Sequence, residues 1–198
     1  MPDFHFGLGI DKNLHIADSI DEASESSPLV RLPELGRRYG AMGELLGKAD
    51  FLLPQARTDA LSAADGADMS ASEREKRVFQ LSLAPELLHQ TYGKLGAVAI
   101  CCDSPESVTA FAALLHAYHE DIRVIAAVPL GAGAPVGADD FVEVSDENSA
   151  RMAREVKSSD GLSVGPRSGA ALFAAVKAAG DKKLKGKNVI AILTDREE

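Results

Sequence analysis

Two adjacent thiols and the acid that follows them, Cys101, Cys102 and Asp103, are the residues best suited to chemistry in this chain. They follow an apolar run that predicts a buried strand, so they would lie at its carboxyl end, where ligands bind in open α/β sheets. A cysteine there could act as a nucleophile or redox group, because a helix N-terminus lowers a thiol pKa. Asp103 and Glu106 would oppose that effect. The alternative interpretation is one buried thiol and one partly exposed thiol.

The next residues, Ser104, Pro105 and Glu106, predict the start of a helix. The Ser104 hydroxyl is suited to capping the first amides, and proline is favoured at the first helical position. Pro105 also lacks an N–H, while Asp103 and Glu106 place negative charge at this helix end. Two unit charges about 4 Å apart repel by about 4 kcal/mol at an effective dielectric of about 20. An external anion is therefore disfavoured here.

A second candidate ligand site is the sequence Gly165-Pro166-Arg167-Ser168-Gly169, which precedes an alanine-rich helix. Helix N-termini bind anions, and Arg167 adds positive charge, so a carboxylate or sulfate could bind at Arg167, Ser168 and Gly169. The alternative is an ordinary turn with Ser168 as the N-cap. His116 and His119 have a spacing that a metal site could use, but we interpret them as part of a solvated helix end and predict no metal site.

Composition limits the possible partners of this 198-residue chain. Its formal charge of −9 argues against nucleic acids and anionic membranes, and no apolar run is long enough to span a bilayer. The first residues lack the pattern of a signal peptide, and two adjacent cysteines cannot build a disulfide framework. We therefore expect a cytoplasmic protein with neither a nucleic-acid partner nor a membrane partner.

Apolar strands that alternate with helices predict an α/β fold with a mostly parallel sheet between two helical layers. The expected helices are Glu34–Leu46, Pro85–Tyr92, Pro105–His119, Asp146–Ser158 and Ser168–Ala179. The expected strands are Leu29–Leu32, Ala97–Cys102, Arg123–Val128, Phe141–Val144 and Asn188–Leu193. Ser145 is predicted to cap the helix that follows it, and Asp160-Gly161 to form a turn.

Three stretches of the sequence resemble the fold-type-II pyridoxal-phosphate enzymes, with cysteine synthase the most similar. They are Pro28–Pro54, which contains PLVRL and KADFLLP; Ala84–Pro129, which contains AVAICCDSPESV; and Val144–Asp195, which contains GLSVGPRSGAALFAAVKAA and NVIAILTD. The resemblance implies a three-layer fold like the large domain of those enzymes. It divides the chain into an N-terminal arm or linker, residues 1–27, and a single α/β domain, residues 28–198.

Positions that bind the cofactor in that family differ in this sequence. The resemblance places the Schiff-base lysine at Asp59, and a carboxylate cannot form an imine. It places the serine that contacts the cofactor ring nitrogen at Arg196. The glycine-rich phosphate loop is replaced by Asp103, Ser104, Pro105, Glu106 and Ser107. The short stretch between Asp59 and Asp103 implies that the small mobile domain is largely deleted. The resemblance therefore implies that pyridoxal phosphate binding has been lost.

These departures favour a non-catalytic, regulatory or partner-binding protein. Cysteine synthases form homodimers and receive a peptide tail of serine acetyltransferase, so the resemblance implies a homodimer, a heteromer with a related enzyme, or capture of a peptide tail. One alternative is a cofactor-independent binding protein for an amino acid or sulfur metabolite, using Cys101, Cys102, Asp103 and the Arg167–Gly169 turn. Others are new chemistry at the thiols with Asp59 and Asp103, or a pyridoxal-phosphate lyase or transferase if the alignment is misread.

Overall fold

A computed structural model of the chain describes residues 27–52, 70, 73, 83–101 and 105–197. Six strands in these ranges form a single sheet. They are β1 (Leu29–Arg31), β2 (Glu44–Ala49), β3 (Leu95–Ile100), β4 (Arg123–Pro129), β5 (Asp140–Val144) and β6 (Asn188–Leu193). The described helices are α1 (Pro33–Arg38), α2 (Ala84–Gln90), α3 (Pro105–Tyr118), α4 (Asp146–Asp160) and α5 (Pro166–Ala179). Short 3-10 turns lie at Asp50–Leu52 and Lys182–Leu184.

The sheet has the strand order β1-β2-β6-β3-β4-β5. Only β1 runs antiparallel to its neighbour, and the other four pairings are parallel. The carboxyl ends of the five parallel strands therefore meet at one side of the sheet, which we call the carboxyl edge. The opposite side, where these strands begin, is the amino edge. At the centre, Leu95–Ala99 of β3 lie beside Asn188–Ala191 of β6.

Two apolar clusters cover the two faces of the sheet. Residues of β6 alternate between them: Val189, Ala191 and Leu193 pack in the cluster with α4 and α5, whereas Ile190 and Ile192 pack in the cluster with α2 and α3. All six residues of β6 are buried. A strand that is covered on both faces has a continuous apolar sequence, as β6 does. Because helices cover both faces of the sheet, the predicted three-layer α/β fold is confirmed. Among the described helices, none combines the length and hydrophobicity needed to cross a membrane.

Several boundaries match the sequence prediction closely because the chain carries local signals there. The Ser145 hydroxyl accepts a hydrogen bond from the Asn148 amide at 3.2 Å, which confirms its role as the cap of α4. Gly161 ends the same helix in the left-handed conformation, with φ of 73°. The helix α3 begins at Pro105, as predicted, and β6 has the predicted bounds.

The predicted helix at Glu34–Leu46 is confirmed as far as Arg38 and is wrong beyond it. The helix α1 ends at Arg38, Gly40 turns the chain with φ of 65°, and Glu44–Ala49 is the strand β2. A β-carbon on Gly43 would lie 2.7 Å from the carbonyl oxygens of Leu184 and Lys187, so only glycine lets the backbones approach so closely. Pairing with β6 decides the structure of this segment, and local helical spacing does not reveal that pairing.

Candidate functional site at the carboxyl edge

The start of α3 lies after β3 at the carboxyl edge. Pro105 is its first residue, Glu106 lies in its first turn with an exposed side chain, and Ser107 is fully buried. Because proline has no N–H, the first turn has one amide fewer to offer a ligand. Cys102, Asp103 and Ser104 lie outside the described residues, as does Asp59. The interpretations of these four residues stay predictions.

An internal carboxylate occupies the start of α5. Asp195, just beyond β6, accepts hydrogen bonds from the Arg167 amide at 3.0 Å and the Ser168 amide at 2.7 Å. Its Oδ1 also accepts from the Ser168 hydroxyl at 2.5 Å, and its backbone oxygen from the Gly165 amide at 3.0 Å. A carboxylate is stabilised by the amides and dipole of a helix start. The arrangement ties the end of the central strand to α5.

This contact changes the interpretation of the Gly165–Gly169 turn. The structure caps α5 at Gly165 and begins the helix at Pro166, so Ser168 is a buried first-turn residue and its prediction as N-cap is wrong. An external anion would have to displace Asp195 from the amides of Arg167 and Ser168. Gly169 lies against α4, where a β-carbon would overlap the Ser149 carbonyl oxygen. Its role in the fold is close helix packing.

Two of the predicted ligand-binding residues do lie close together. The Arg167 guanidinium donates to the Cys101 backbone oxygen at 3.5 Å. This contact joins the start of α5 to the carboxyl end of β3 across the end of β6. Cys101 is half-buried and packs against the apolar cluster below α4 and α5. The structure therefore brings Cys101, Arg167 and Ser168 to one part of the carboxyl edge.

The segment after β6 carries two further polar groups at this edge. The Thr194 hydroxyl is buried without a hydrogen-bond partner. The exposed Arg196 guanidinium lies 5.1 Å from the centre of the Phe51 ring, a cation–π distance. Among the described residues, Arg196 forms no ion pair. Next to it, hydrogen bonds from Lys157 and Ser163 hold the pKa of the Glu197 carboxyl below its ordinary value.

Sequence reasoning missed the burial of Lys48. This β2 side chain is fully buried, and its ammonium donates to the Ser27 carbonyl at 2.5 Å, Glu86 Oε2 at 2.7 Å and Gln90 Oε1 at 2.9 Å. A buried lysine needs acceptors for its ammonium hydrogens. The available signal was a lysine inside the strand ELLGKA, between small and apolar residues.

The histidines of α3 and the turn after it serve the fold. His116 Nε2 lies 2.9 Å from Asp139 Oδ2 and 3.0 Å from the Ile122 carbonyl oxygen. Asp139 also accepts from the Val124 amide at 2.7 Å, so it joins α3 to the loop before β5. Across the described ranges, no three His, Cys, Asp or Glu residues are grouped as a metal site would require.

No protein-family model and no curated protein matches this chain. Solved structures do match. An O-acetylserine sulfhydrylase, isoform 3, from Entamoeba histolytica has a TM-score of 0.69 at 17% identity, over 92% of this chain and 89% of that chain. A cysteine synthase from the same organism has the same TM-score and identity, over 92% and 88% of the two chains.

A hydrogen sulfide-producing enzyme from Fusobacterium nucleatum also matches, with a TM-score of 0.69 at 14% identity, over 92% of this chain and 99% of that chain. Two of these three neighbours are named as an O-acetylserine sulfhydrylase and a cysteine synthase. At such low identity the likeness defines the fold, and this chain has the α/β architecture of the cysteine synthase large domain.

Proposed function

We propose that this chain is a non-catalytic protein of cysteine synthase-like fold that binds a partner in a regulatory role and does not bind pyridoxal phosphate. The observation that carries the proposal is the start of α3. This is the helix end to which the resemblance assigns the cofactor phosphate, and here it begins with Pro105 followed by Glu106. The proline removes an amide donor, and the carboxylate repels a dianion.

The described lysines also do not fit a Schiff base at this edge. Lys48 donates to three acceptors in a buried cluster, and Lys157 pairs with Glu197 at 2.5 Å. The other six described lysines, Lys94, Lys177, Lys182, Lys183, Lys185 and Lys187, lie at the amino edge. An imine needs an accessible, deprotonated amine, and none of these positions supplies one beside the start of α3.

The ring-nitrogen position gives further support. The resemblance expects a serine hydroxyl where this chain has Arg196, and the guanidinium of Arg196 lies over Phe51. A guanidinium carries only donors and stays charged, so, unlike a hydroxyl, it cannot accept a hydrogen bond from a protonated pyridine nitrogen and it repels that positive charge. Neither this position nor the start of α3 fits the cofactor, and we derive no catalytic step through it.

Absorption spectroscopy tests the proposal. The purified protein, mixed with an equimolar amount of pyridoxal phosphate and dialysed, is expected to show no visible imine band. Reduction with borohydride followed by peptide mapping provides the control, because weak labelling spread over exposed lysines marks non-specific reaction. A stoichiometric, borohydride-reducible adduct on one lysine would contradict the proposal and support a pyridoxal-phosphate-dependent lyase or transferase instead.

A second candidate function is cofactor-independent binding of an amino acid or sulfur metabolite at the carboxyl edge. The unpartnered Thr194 hydroxyl favours it, since a buried polar group without a hydrogen bond costs about 1–3 kcal/mol. Arg196 and Arg167 would attract a carboxylate. Thermal-shift measurements with amino acids and thiols test this, because a ligand at about 100 times its Kd adds about 2.7 kcal/mol of stability. No shift with any of them, or an equal shift in Thr194→Val, would exclude it.

A further inference from the structure

Six lysines lie around the amino edge, where β3 and β6 begin and α5 ends. They form what we call the amino-edge lysine patch: Lys94, Lys177, Lys182, Lys183, Lys185 and Lys187. Five of them are exposed, and Lys187 is half-buried. The whole chain has only 21 lysines and arginines and a net charge of −9. A local excess of positive charge on so acidic a chain is a distinctive surface feature.

Backbone contacts hold the patch together. The Lys94 carbonyl accepts from the Asn188 amide at 2.8 Å, so the residues that precede β3 and β6 are neighbours. A β-carbon on Gly96 would lie 2.7 Å from the Lys187 β-carbon, which places Lys187 directly over the start of β3. The Asp181 amide donates to the Ala178 carbonyl, so the 3-10 turn at Lys182–Leu184 follows closely on the end of α5.

The patch is not neutralised within the fold. In the described part of the chain, none of the six lysines forms an ion pair with a carboxylate. Three acids at this edge have arginine partners: Glu44 pairs with Arg31 at 2.6 Å, and Asp140 and Asp181 each lie 2.9 Å from Arg123. Two more exposed acids, Glu120 and Asp121, precede β4 at the same edge. Lys177 Nζ lies 4.6 Å from the centre of the Phe173 ring. The ammonium groups are therefore available to an external ligand.

We propose that the amino-edge lysine patch binds an acidic segment of a partner protein. Charge complementarity carries the inference, because several unpaired ammonium groups on one surface attract a run of carboxylates and raise the rate of association. The patch lies at the amino edge, at the other end of the parallel strands from the carboxyl edge. This proposal rests on the partner-binding role proposed above, and it names the surface of this chain that binds the partner and the acidic character of the partner's segment. It does not depend on whether the carboxyl edge holds a ligand.

An acidic protein segment fits better than a nucleic acid. A long polyanion would meet the strongly acidic remainder of the chain beyond the patch, and that repulsion grows with its length. A short segment with several carboxylates can stay within the patch. All six cations are also lysines, which act as point charges and lack the planar fork with which arginine binds phosphates.

Fluorescence anisotropy with the full chain tests the proposal. The probe is a fluorescein-labelled peptide of alternating glutamate and serine, at low ionic strength and at about 0.15 M salt, where the Debye length is about 8 Å. We expect saturable binding that weakens with salt. In the triple variant Lys182→Gln, Lys183→Gln, Lys185→Gln the affinity should fall about tenfold, since each lost contact is worth a few-fold. These side chains are exposed, so the fold should survive.

The control variant removes the same charge elsewhere: Arg151→Gln, Arg154→Gln, Lys157→Gln on the exposed side of α4. It should bind the peptide within about twofold of the wild-type affinity. No binding by the wild-type chain, or equal losses in both variants, would overturn the proposal. So would tighter binding of a single-stranded DNA of matched charge, which would identify a nucleic-acid surface. The test with pyridoxal phosphate does not depend on the peptide measurement. The proposed loss of cofactor binding and the proposed peptide site can therefore fail independently.

Discussion

The Asp195 carboxylate lies 2.7 Å from the Ser168 amide and 2.5 Å from the Ser168 hydroxyl, so a side chain beyond β6 caps the start of α5. The helix has no side-chain cap of its own, because its N-cap is Gly165. A β-carbon on Gly165 would overlap the Asp195 carboxylate, so the glycine makes room for the contact. The central strand and the most buried helix are thus joined by one acid.

Replacing Asp195 with alanine should lower the free energy of unfolding by about 2–3 kcal/mol. Loss of a helix cap costs about 1–2 kcal/mol, and hydrogen bonds to a charged group contribute more than neutral ones. Urea unfolding followed by circular dichroism measures the change. Glu197→Ala is the matched control in the same segment, and its effect should be much smaller because Glu197 is exposed. Similar losses in the two variants would contradict the capping role.

Gly169→Ala should destabilise the protein by at least about 2 kcal/mol. The new methyl group would overlap the Ser149 carbonyl oxygen, so α4 and α5 would have to separate and lose packing. Gly36→Ala in α1 is the control, since its β-carbon would make ordinary contacts at 3.5 and 3.7 Å. Helix propensity predicts a neutral effect or a gain of up to about 1 kcal/mol there. Thermal unfolding of both variants tests the difference.

The second half of the chain was predictable because its signals are local. Ser145 and Gly161 mark the ends of α4, and β6 is a continuous apolar run. The α5 cap was not predictable, because Asp195 is 27 positions from Ser168 in sequence. Nor was β2, whose pairing with β6 connects Leu45 to Val189 and overrides the helical spacing of Glu34–Leu46. Contacts between distant residues decide both features.

The candidate site was predictable only in part, for a similar reason. Cys101 and Arg167 were each proposed from their own neighbours in sequence, but their contact at 3.5 Å depends on the strand order. The sequence KKLKGK at 182–187, taken alone, is typical of a solvated turn. Only the fold adds Lys94 and Lys177 to them and shows that Glu44 and Asp181 are paired with arginines.

Lys48→Met should destabilise the protein by about 3–5 kcal/mol, because the Glu86 carboxylate would remain largely buried without its 2.7 Å ammonium partner. Adding Glu86→Leu to this variant should recover part of the loss, since replacing both members of a buried pair with apolar groups is often neutral. Urea unfolding of the two single variants and the double variant forms a complete cycle. A double variant less stable than Lys48→Met would contradict this account of the pair.

Two carboxyls, half-buried Asp181 and exposed Glu197, should make stability depend on pH in the acid range. The backbone amide of Lys183, together with Arg123, lowers the pKa of Asp181, and hydrogen bonds from Lys157 and Ser163 lower that of Glu197. A carboxyl whose pKa is lower in the folded state stabilises the protein above its unfolded pKa, and this contribution is lost as pH falls through the folded value. Stability should therefore decline below about pH 4.5. In the double variant Asp181→Asn, Glu197→Gln, urea midpoints measured from neutral pH downward should fall less steeply, and an unchanged slope would show that neither carboxyl contributes.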